Sequence, residues 1–382
     1  MWKKRRSESV RSYNELGEDL LTNSSITGWG KCLPPTVLTN HDLEALVDTN
    51  DDWITSRTGI KERRISHVGT SELATLAGKR ALAAAGVDAT EVDLVSVATC
   101  TPDTLMPSAA SLVQNALGAT NAGAVDQNAA CSGFLYGLIT ACAMVEAGVV
   151  GTALVIGAER LTYFIDFTDR GTAVLFGDGA GAVVVQATDE PGGLRGSEMG
   201  SDGSVADILW APGSGTATNR VDLEKNHKHM AVSMNGPEVF KRAVKAMGDA
   251  STKVVEQAGW ALEDVDILIP HQANTRIIDA TARRMKLDSS KVFVNIASYG
   301  NTSAATVPIA LTEALEAGRI DPGAKIVFAA FGAGLSWAAA AFEFGSRIHP
   351  LGVSDEELPP TDGDVMALLT ENFAYFGGGP NR

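Results

Sequence analysis

The chain holds 382 residues, 45% of them hydrophobic and 20% charged, with a formal net charge of −15. That length and apolar share suit one large duplicated domain, or two similar ones, around a substantial core. The acidic balance argues against non-specific nucleic-acid binding, and any acidic protein partner would need a local basic patch. Four cysteines, Cys32, Cys100, Cys131 and Cys142, are too few for a disulfide framework, and no CxxC pair points to zinc. No apolar run reaches the roughly 18 residues of a membrane span. The start, Met1-Trp2-Lys3-Lys4-Arg5-Arg6, is basic, but no apolar segment follows it. It does not read as a signal peptide, and the cytoplasm is the expected location.

In chain order, residues 1–24 read as a polar N-terminal extension. The first half of the body runs over 25–190. His41–Asp48 looks like a short helix, and Ser71–Ala85 like an Ala/Leu-rich helix closed by Gly86. Leu94–Thr99 is a continuous apolar run that suits a buried parallel strand. Ser108–Leu117 reads as helix and Ala124–Gln127 as a short strand. Cys131–Glu146 is apolar at helical spacing, and Ala153–Gly157 and Ala180–Gln186 read as strands. Residues 191–230, rich in glycine and charge, look like an inserted excursion. A second half over 231–345 then repeats the order. Val239–Gln257, Thr275–Met285 and Ala304–Ala317 are expected helices; Ile267–Pro270, Val292–Ile296, Lys325–Ala330 and Ser336–Phe344 are expected strands. A C-terminal extension, 346–382, carries one amphipathic candidate helix, Val365–Phe376.

The repetition is visible in the letters. Ala85-Gly86 recurs as Ala258-Gly259, an offset of 173 from Gly86 to Gly259. Glu146-Ala147-Gly148 recurs as Glu316-Ala317-Gly318, an offset of 170, and Phe176-Gly177 as Phe331-Gly332, an offset of 155. The 170 offset carries Cys131 onto Asn301, with His271 between them at the end of an apolar strand. A pseudo-dyad would gather these three at its centre as nucleophile, base and hydrogen-bond donor, the set that acyl transfer needs.

Each has local support. Cys131 follows a strand and opens a helix, where unpaired N–H groups and the helix dipole favour a thiolate. Its neighbours Ala129, Ala130, Ser132 and Gly133 leave room for a thioester. A lone histidine is usually a satisfied core residue, but His271 leaves a strand beside Gln272 and Asn274, where α/β sheets place active groups. Asn301 could simply cap the helix after it; its symmetry with Cys131 argues otherwise. Phe331-Gly332-Ala333-Gly334 could offer N–H groups to an oxyanion, as could Cys131 itself.

Several stretches together resemble the β-ketoacyl-acyl carrier protein synthase III family of thiolase-fold condensing enzymes. They are Asp52-Trp53-Ile54 with Arg57-Thr58-Gly59-Ile60, Ala129-Ala130-Cys131-Ser132-Gly133-Phe134, Thr168-Asp169-Arg170-Gly171-Thr172, Phe176-Gly177-Asp178-Gly179-Ala180-Gly181, Pro270-His271-Gln272-Ala273-Asn274, Gly300-Asn301-Thr302-Ser303-Ala304 and Ala330-Phe331-Gly332. The resemblance implies a thiolase-like fold, two αβ halves packed as a five-layer α-β-α-β-α sandwich. It implies an acyltransferase that starts fatty acid synthesis. Acyl-CoA acylates Cys131, malonyl-acyl carrier protein loses carbon dioxide, and the carbanion attacks the thioester. His271 and Asn301 would hold the enolate oxygen and Phe331 would wall off the carboxylate. Gly332 and Ala333 would support the oxyanion. Trp53, Arg57, Arg170 and Asn274 would bind CoA, and Arg276, Arg283 and Arg284 the carrier protein. The partners are those two thioesters and a second copy of the chain, with no cofactor, membrane or nucleic acid.

Three positions depart from the family pattern. Met106 stands where a Phe often shortens the acyl tunnel across the dimer interface, which predicts a medium or longer primer. Pro237 replaces a polar contact to the CoA arm. Ala333 interrupts a run of glycines. A related enzyme of secondary metabolism with another acceptor is the competing reading. A papain-like hydrolase shares the Cys, His, Asn order but lacks its local cysteine signature, and a non-catalytic homologue would not need the three residues.

Overall fold

The computed structural model describes residues 23–380, so residues 1–22 of the expected N-terminal extension lie outside the described residues. Two sheets form the frame. The first comprises β1 (Asn23–Cys32), β2 (Leu94–Ala98), β3 (Gly123–Gln127), β4 (Thr152–Arg160) and β5 (Asp178–Thr188), in the order β1-β5-β4-β2-β3. The second comprises β6 (Gly193–Ser201), β7 (Ile267–Pro270), β8 (Lys325–Gly332) and β9 (Ser336–Glu343), in the order β7-β8-β9-β6. In both, two antiparallel pairings lead to a parallel one. Read from β6, the second sheet therefore repeats the first, and the duplication seen in the letters is a duplication of topology.

Six helices complete the layers: α1 (Thr70–Ala85), α2 (Ala109–Leu117), α3 (Gly133–Glu146), α4 (Gly236–Gln257), α5 (Thr275–Arg284) and α6 (Thr306–Glu316). The strands are apolar on both faces because both are covered. Val183 and Val185 of β5 face the central helices α3 and α6, while Ala182 and Val184 face α1 and α2. On the second sheet, Ile326 and Phe328 point to the centre and Val327 and Ala329 to α4 and α5. The result is the expected five-layer α-β-α-β-α sandwich. A smaller cap covers one end, built from the antiparallel strands Thr36–Thr39 and Glu62–Ile65, the helix Asp51–Thr58 and the segment 161–176.

Several expectations need correction. The stretch 191–230 is not wholly an excursion, because Gly193–Ser201 pairs with β9 as the counterpart of β1. Its glycines and charges belong to an edge strand with one face partly open to solvent. Val292–Ile296 forms only a single parallel bridge, Val292 to Leu268, before Ile296–Tyr299 turns into a helix. Val365–Phe376 is two short helices, Val365–Leu368 and α7 (Thr370–Phe376), and not one.

The C-terminal extension is a strap. Leu351 N–H donates to the Ala84 carbonyl at 2.9 Å, and Glu356 and Glu357 pair with Lys79 and Arg80 of α1. α7 then docks on the cap. Phe373 meets Phe167 edge to face at 6.0 Å between centroids, and Asn372 donates to the carbonyls of Thr162 and Ile165. Phe373 is nearly buried, so replacing it with alanine should cost roughly 3 kcal/mol. Hydrogen exchange should rise in both α7 and 161–167 in Phe373→Ala; exchange confined to α7 would show that the cap does not depend on the strap.

Candidate active site

A cavity of about 1010 Å³ runs from the cap into the centre of the sandwich. Exposed Arg57 and Arg170 line its outer part, and buried Cys131, His271 and Asn301 its inner part. The structure thus brings together the three residues that the sequence set apart.

Cys131 sits in the single 3₁₀ turn Ala130–Ser132, between β3 and α3. Ala130 adopts a left-handed φ of 45° there, uncommon for a residue with a side chain. The matching turn in the second half is Ser303–Ala305, where Ser303 repeats the left-handed φ at 49°. From Ala130 to Ser303 the offset is 173, so the structural counterpart of Cys131 is Ala304 and not Asn301. The 170 offset holds only at the far ends of the helices, since α3 has 14 residues and α6 has 11. Asn301 lies three residues before that counterpart. Its Oδ1 accepts the Ser303 N–H at 2.8 Å, which leaves the amide nitrogen as the group it can donate to the cavity.

The local environment of Cys131 departs from the expected thiolate. Burial pushes its thiol up to about 12; the nearby Ser303 hydroxyl lowers it, and the charge of Glu159 adds to the rise. Desolvation of the charged form outweighs the N–H groups of one short turn. Gly332 faces this turn closely. A Cβ there would lie 2.6 Å from the Cys131 nitrogen, so only glycine lets the end of β8 approach the Cys131 turn. Phe331, Ala333 and Gly334 line the same part of the cavity.

His271 follows β7, and its Nδ1 lies 2.7 Å from Thr306 Oγ1. Thr306 Oγ1 donates to the Ser303 carbonyl at 3.0 Å, beside the Thr306 N–H on the same oxygen. With its one hydrogen so placed, the hydroxyl accepts from His271 Nδ1–H. This assignment puts the ring proton on Nδ1 and leaves Nε2 unprotonated; the Nε2–H tautomer requires the Thr306 hydroxyl to turn to Nδ1. Burial pulls the His271 pKa down to about 3, so the ring is neutral at physiological pH. Sequence reading passed over Thr306, whose position one turn after Asn301 was the available signal.

At the outer end, Trp53 lies under two guanidinium groups, Arg170 at 4.8 Å and Arg57 at 5.1 Å from its ring centre. Arg170 Nη1 also donates to the Asp48 carbonyl at 3.0 Å. Asn274 caps α5 through the Arg276 N–H and lines the cavity, as does Pro237 in the first turn of α4. The expected basic face of α5 is only partly free. Arg276 lies over Phe240, and Arg284 is paired with Asp249, leaving Arg283 exposed with no ion pair or ring contact among the described residues. Met106 does not line this chain's own cavity; it is 87% exposed on the loop before α2.

The neutral imidazole has a pH signature. Unfolding raises the His271 pKa from about 3 to about 6.5, so below pH 6.5 the unfolded chain takes up a proton that the folded chain excludes. Over that window acid favours unfolding by about 1.4 kcal/mol per pH unit, and at pH 7 the effect is absent. His271→Gln should therefore lose less stability than the parent between pH 7 and pH 5 in urea unfolding. Equal acid sensitivity in both would show that the ring is not buried neutral.

Comparison with known proteins agrees with this geometry. Residues 125–203 match the family model for 3-oxoacyl-[acyl-carrier-protein] synthase III, and residues 255–344 match the model for its C-terminal part. The chain is 53% identical over 348 residues to β-ketoacyl-[acyl-carrier-protein] synthase III 2 of Vibrio cholerae serotype O1, covering 91% of this chain and 96% of that protein. The crystal structure of 3-oxoacyl-[acyl-carrier-protein] synthase III from Aquifex aeolicus VF5 matches with a TM-score of 0.79 and 44% identity, over 84% of this chain and 100% of that one. The priming β-ketosynthase of the R1128 polyketide pathway matches with a TM-score of 0.80 and 35% identity, over 88% of this chain and 99% of that one. With its duplicated sandwich, its central cysteine, histidine and asparagine, and these relatives, the chain belongs to the β-ketoacyl-acyl carrier protein synthase III family.

Proposed function

We propose that this acyltransferase condenses an acyl-CoA primer with malonyl-acyl carrier protein through an acyl-Cys131 intermediate, the step that begins a fatty acid. The observation that carries the reading is the meeting of Cys131, His271 and Asn301 in the inner part of one deep cavity. Cys131 sulfur attacks the thioester carbonyl. The backbone N–H of Cys131, with the turn Gly332–Gly334 beside it, stabilises the oxyanion. CoA leaves, and malonyl-carrier protein enters by the same route.

Decarboxylation then needs hydrogen-bond donors at the developing enolate oxygen. The Asn301 amide supplies one, and neutral His271 supplies a second from Nε2–H in the tautomer with the Thr306 hydroxyl turned to Nδ1. A neutral imidazole donates without giving up a full proton, so the enolate stays nucleophilic toward the Cys131 thioester. Phe331 offers the departing carboxylate an apolar wall. Trp53 with Arg57 and Arg170 suits a planar base and its phosphates. Asn274 and Pro237 line the pantetheine route, and Arg276 and Arg283 are the groups of α5 best placed for an acidic carrier protein. No cofactor beyond the two thioesters enters this scheme.

The chain works in this reading as a homodimer. Leu105, 83% exposed, and Met106 project beside the edge strand β3, whose Val125 is 43% exposed, and a second copy would cover them. Flexible Met106 then bounds the partner's acyl tunnel, and we expect octanoyl-CoA to be turned over at least as well as acetyl-CoA. A strong acetyl preference would remove the tunnel argument. The reaction itself is tested with carboxyl-labelled malonyl-carrier protein. Release of labelled carbon dioxide together with β-ketoacyl-carrier protein, dependent on the primer, is the expected result. Transfer of the acyl group to another acceptor without carbon dioxide would favour the specialised acyltransferase instead.

A further inference from the structure

Asn301 has its own counterpart in the first half. Asn128 lies 173 positions before it, the offset that relates Ala130 to Ser303. In each half the asparagine Oδ1 accepts the N–H of the left-handed residue two places on. The bond from Ala130 to Asn128 is 3.3 Å, and the bond from Ser303 to Asn301 is 2.8 Å. Asn128 is exposed, whereas Asn301 is buried. The two left-handed residues differ only by the hydroxyl of Ser303, and that hydroxyl donates to Glu159 Oε1 at 3.0 Å. Glu159, near the end of β4, is fully buried. Its carboxylate also receives Thr101 Oγ1 at 2.6 Å, Thr99 Oγ1 at 3.1 Å, the Cys100 N–H at 3.1 Å and Cys100 Sγ at 3.3 Å. These bonds tie it to the segment after β2 and fix its position. Burying a carboxylate among uncharged donors is costly, so what it holds in place matters.

We propose that Glu159 and Ser303 are positioning residues for decarboxylation: the carboxylate anchors the Ser303 hydroxyl, and the anchored turn keeps the Asn301 amide nitrogen toward the malonyl thioester. The backbone of Asn301 is held independently. Its N–H donates to the Leu175 carbonyl at 2.9 Å, and its carbonyl accepts the Gly177 N–H at 3.1 Å. What remains to be set is which end of the amide faces the cavity. The Ser303 N–H takes Oδ1 and leaves the NH₂ group to donate. An amide turned by half a rotation would present oxygen to a developing enolate oxygen, and two acceptors repel. The N–H points this way because Ser303 holds a left-handed backbone, which is strained for a serine. The bond to Glu159 fixes the same residue from its side chain. The first turn carries the nucleophile instead and needs no oriented asparagine, so an alanine suffices there. Ala130 also shows that alanine can hold this turn. Acylation draws on Cys131 and the turn Gly332–Gly334, so the two stages of the reaction separate the role.

This inference rests on the reading that Asn301 serves decarboxylation. It is tested in the full-length enzyme with Ser303→Ala, which gives the second turn the side chain of the first, and with Glu159→Ala. Acylation of Cys131 by acyl-CoA is timed by rapid quench and intact mass. Release of labelled carbon dioxide from malonyl-carrier protein is timed separately on enzyme already acylated. Decarboxylation should slow roughly tenfold or more in both variants, short of the loss on the order of 10²-fold or more expected for removing the donor in Asn301→Ala. Acylation should stay close to the parent rate. Adding Ser303→Ala to Asn301→Ala should cost nothing further, because the amide it positions is gone. Should Glu159→Ala fail to fold, Ser303→Ala carries the same test. Unchanged decarboxylation in Ser303→Ala overturns the proposal. Equal slowing of both stages, or a further loss in the double variant, also overturns it by making the residues merely structural. A parent enzyme that releases no carbon dioxide overturns the functional reading instead. The crystal structure of Ser303→Ala then decides the anchor. The contact from the N–H of residue 303 to Asn301 Oδ1 should lengthen toward the 3.3 Å of the first turn, and one kept at 2.8 Å overturns the proposal.

Discussion

The close approach of two 3₁₀ turns at the centre of the sandwich is the constraint on which the site depends. Ala130–Ser132 and Ser303–Ala305 lead into α3 and α6, and small residues let the strands and turns meet. A Cβ on Gly157 would lie 2.3 Å from the Ala304 carbonyl oxygen, and one on Gly181 would lie 2.7 Å from the Ile309 nitrogen. Gly332 meets the backbone of Cys131 itself. Larger side chains at these positions would force backbone apart in a densely packed core. The same contacts that stabilise the layers therefore set the distance between nucleophile, donors and oxyanion turn.

Burial is the second determinant, and it disfavours the charged form of each ionisable group. It holds Cys131 protonated, keeps His271 neutral and raises Glu159. A neutral histidine is an effective donor to an enolate oxygen, whereas a protonated thiol needs somewhere to send its proton. Hydrogen bonds decide which atom does what. Thr306 Oγ1 meets His271 Nδ1, Ser303 N–H orients the Asn301 amide, and Ser303 Oγ donates to the buried Glu159 carboxylate. All three come from the short stretch 303–306, so one turn organises most of the polar chemistry.

Much of the frame was legible because its signals are local. Leu94–Ala98 and Ile267–Pro270 are apolar runs whose two faces are both covered, and Gly86 closes α1 in a left-handed cap. The strands β1 and β6 were missed. Gly28 and Gly30 in β1, and Gly196 in β6, break the apolar pattern, and they do so because helix backbone lies against them: a Cβ on Gly28 would be 2.3 Å from the Ala81 carbonyl oxygen. The packing of the strap was not legible, because its partners lie far away in sequence, as with Leu351 and Ala84. In the site, Cys131, His271 and Asn301 stood out through their neighbours and the repeat. Glu159 and Ser303 did not, because their bond joins residues 144 positions apart and neither sits in a pattern that periodicity can mark.

The account's central claim is that Cys131 alternates between a free thiol and an acyl thioester consumed by condensation. Intact-mass measurement with peptide mapping after mixing with acyl-CoA, followed by a chase with malonyl-carrier protein, tests it most directly. The account predicts one acyl adduct, located on Cys131, that disappears as β-ketoacyl-carrier protein forms in equal amount. An adduct on Cys100 or another residue, or one on Cys131 that survives the chase, would contradict it.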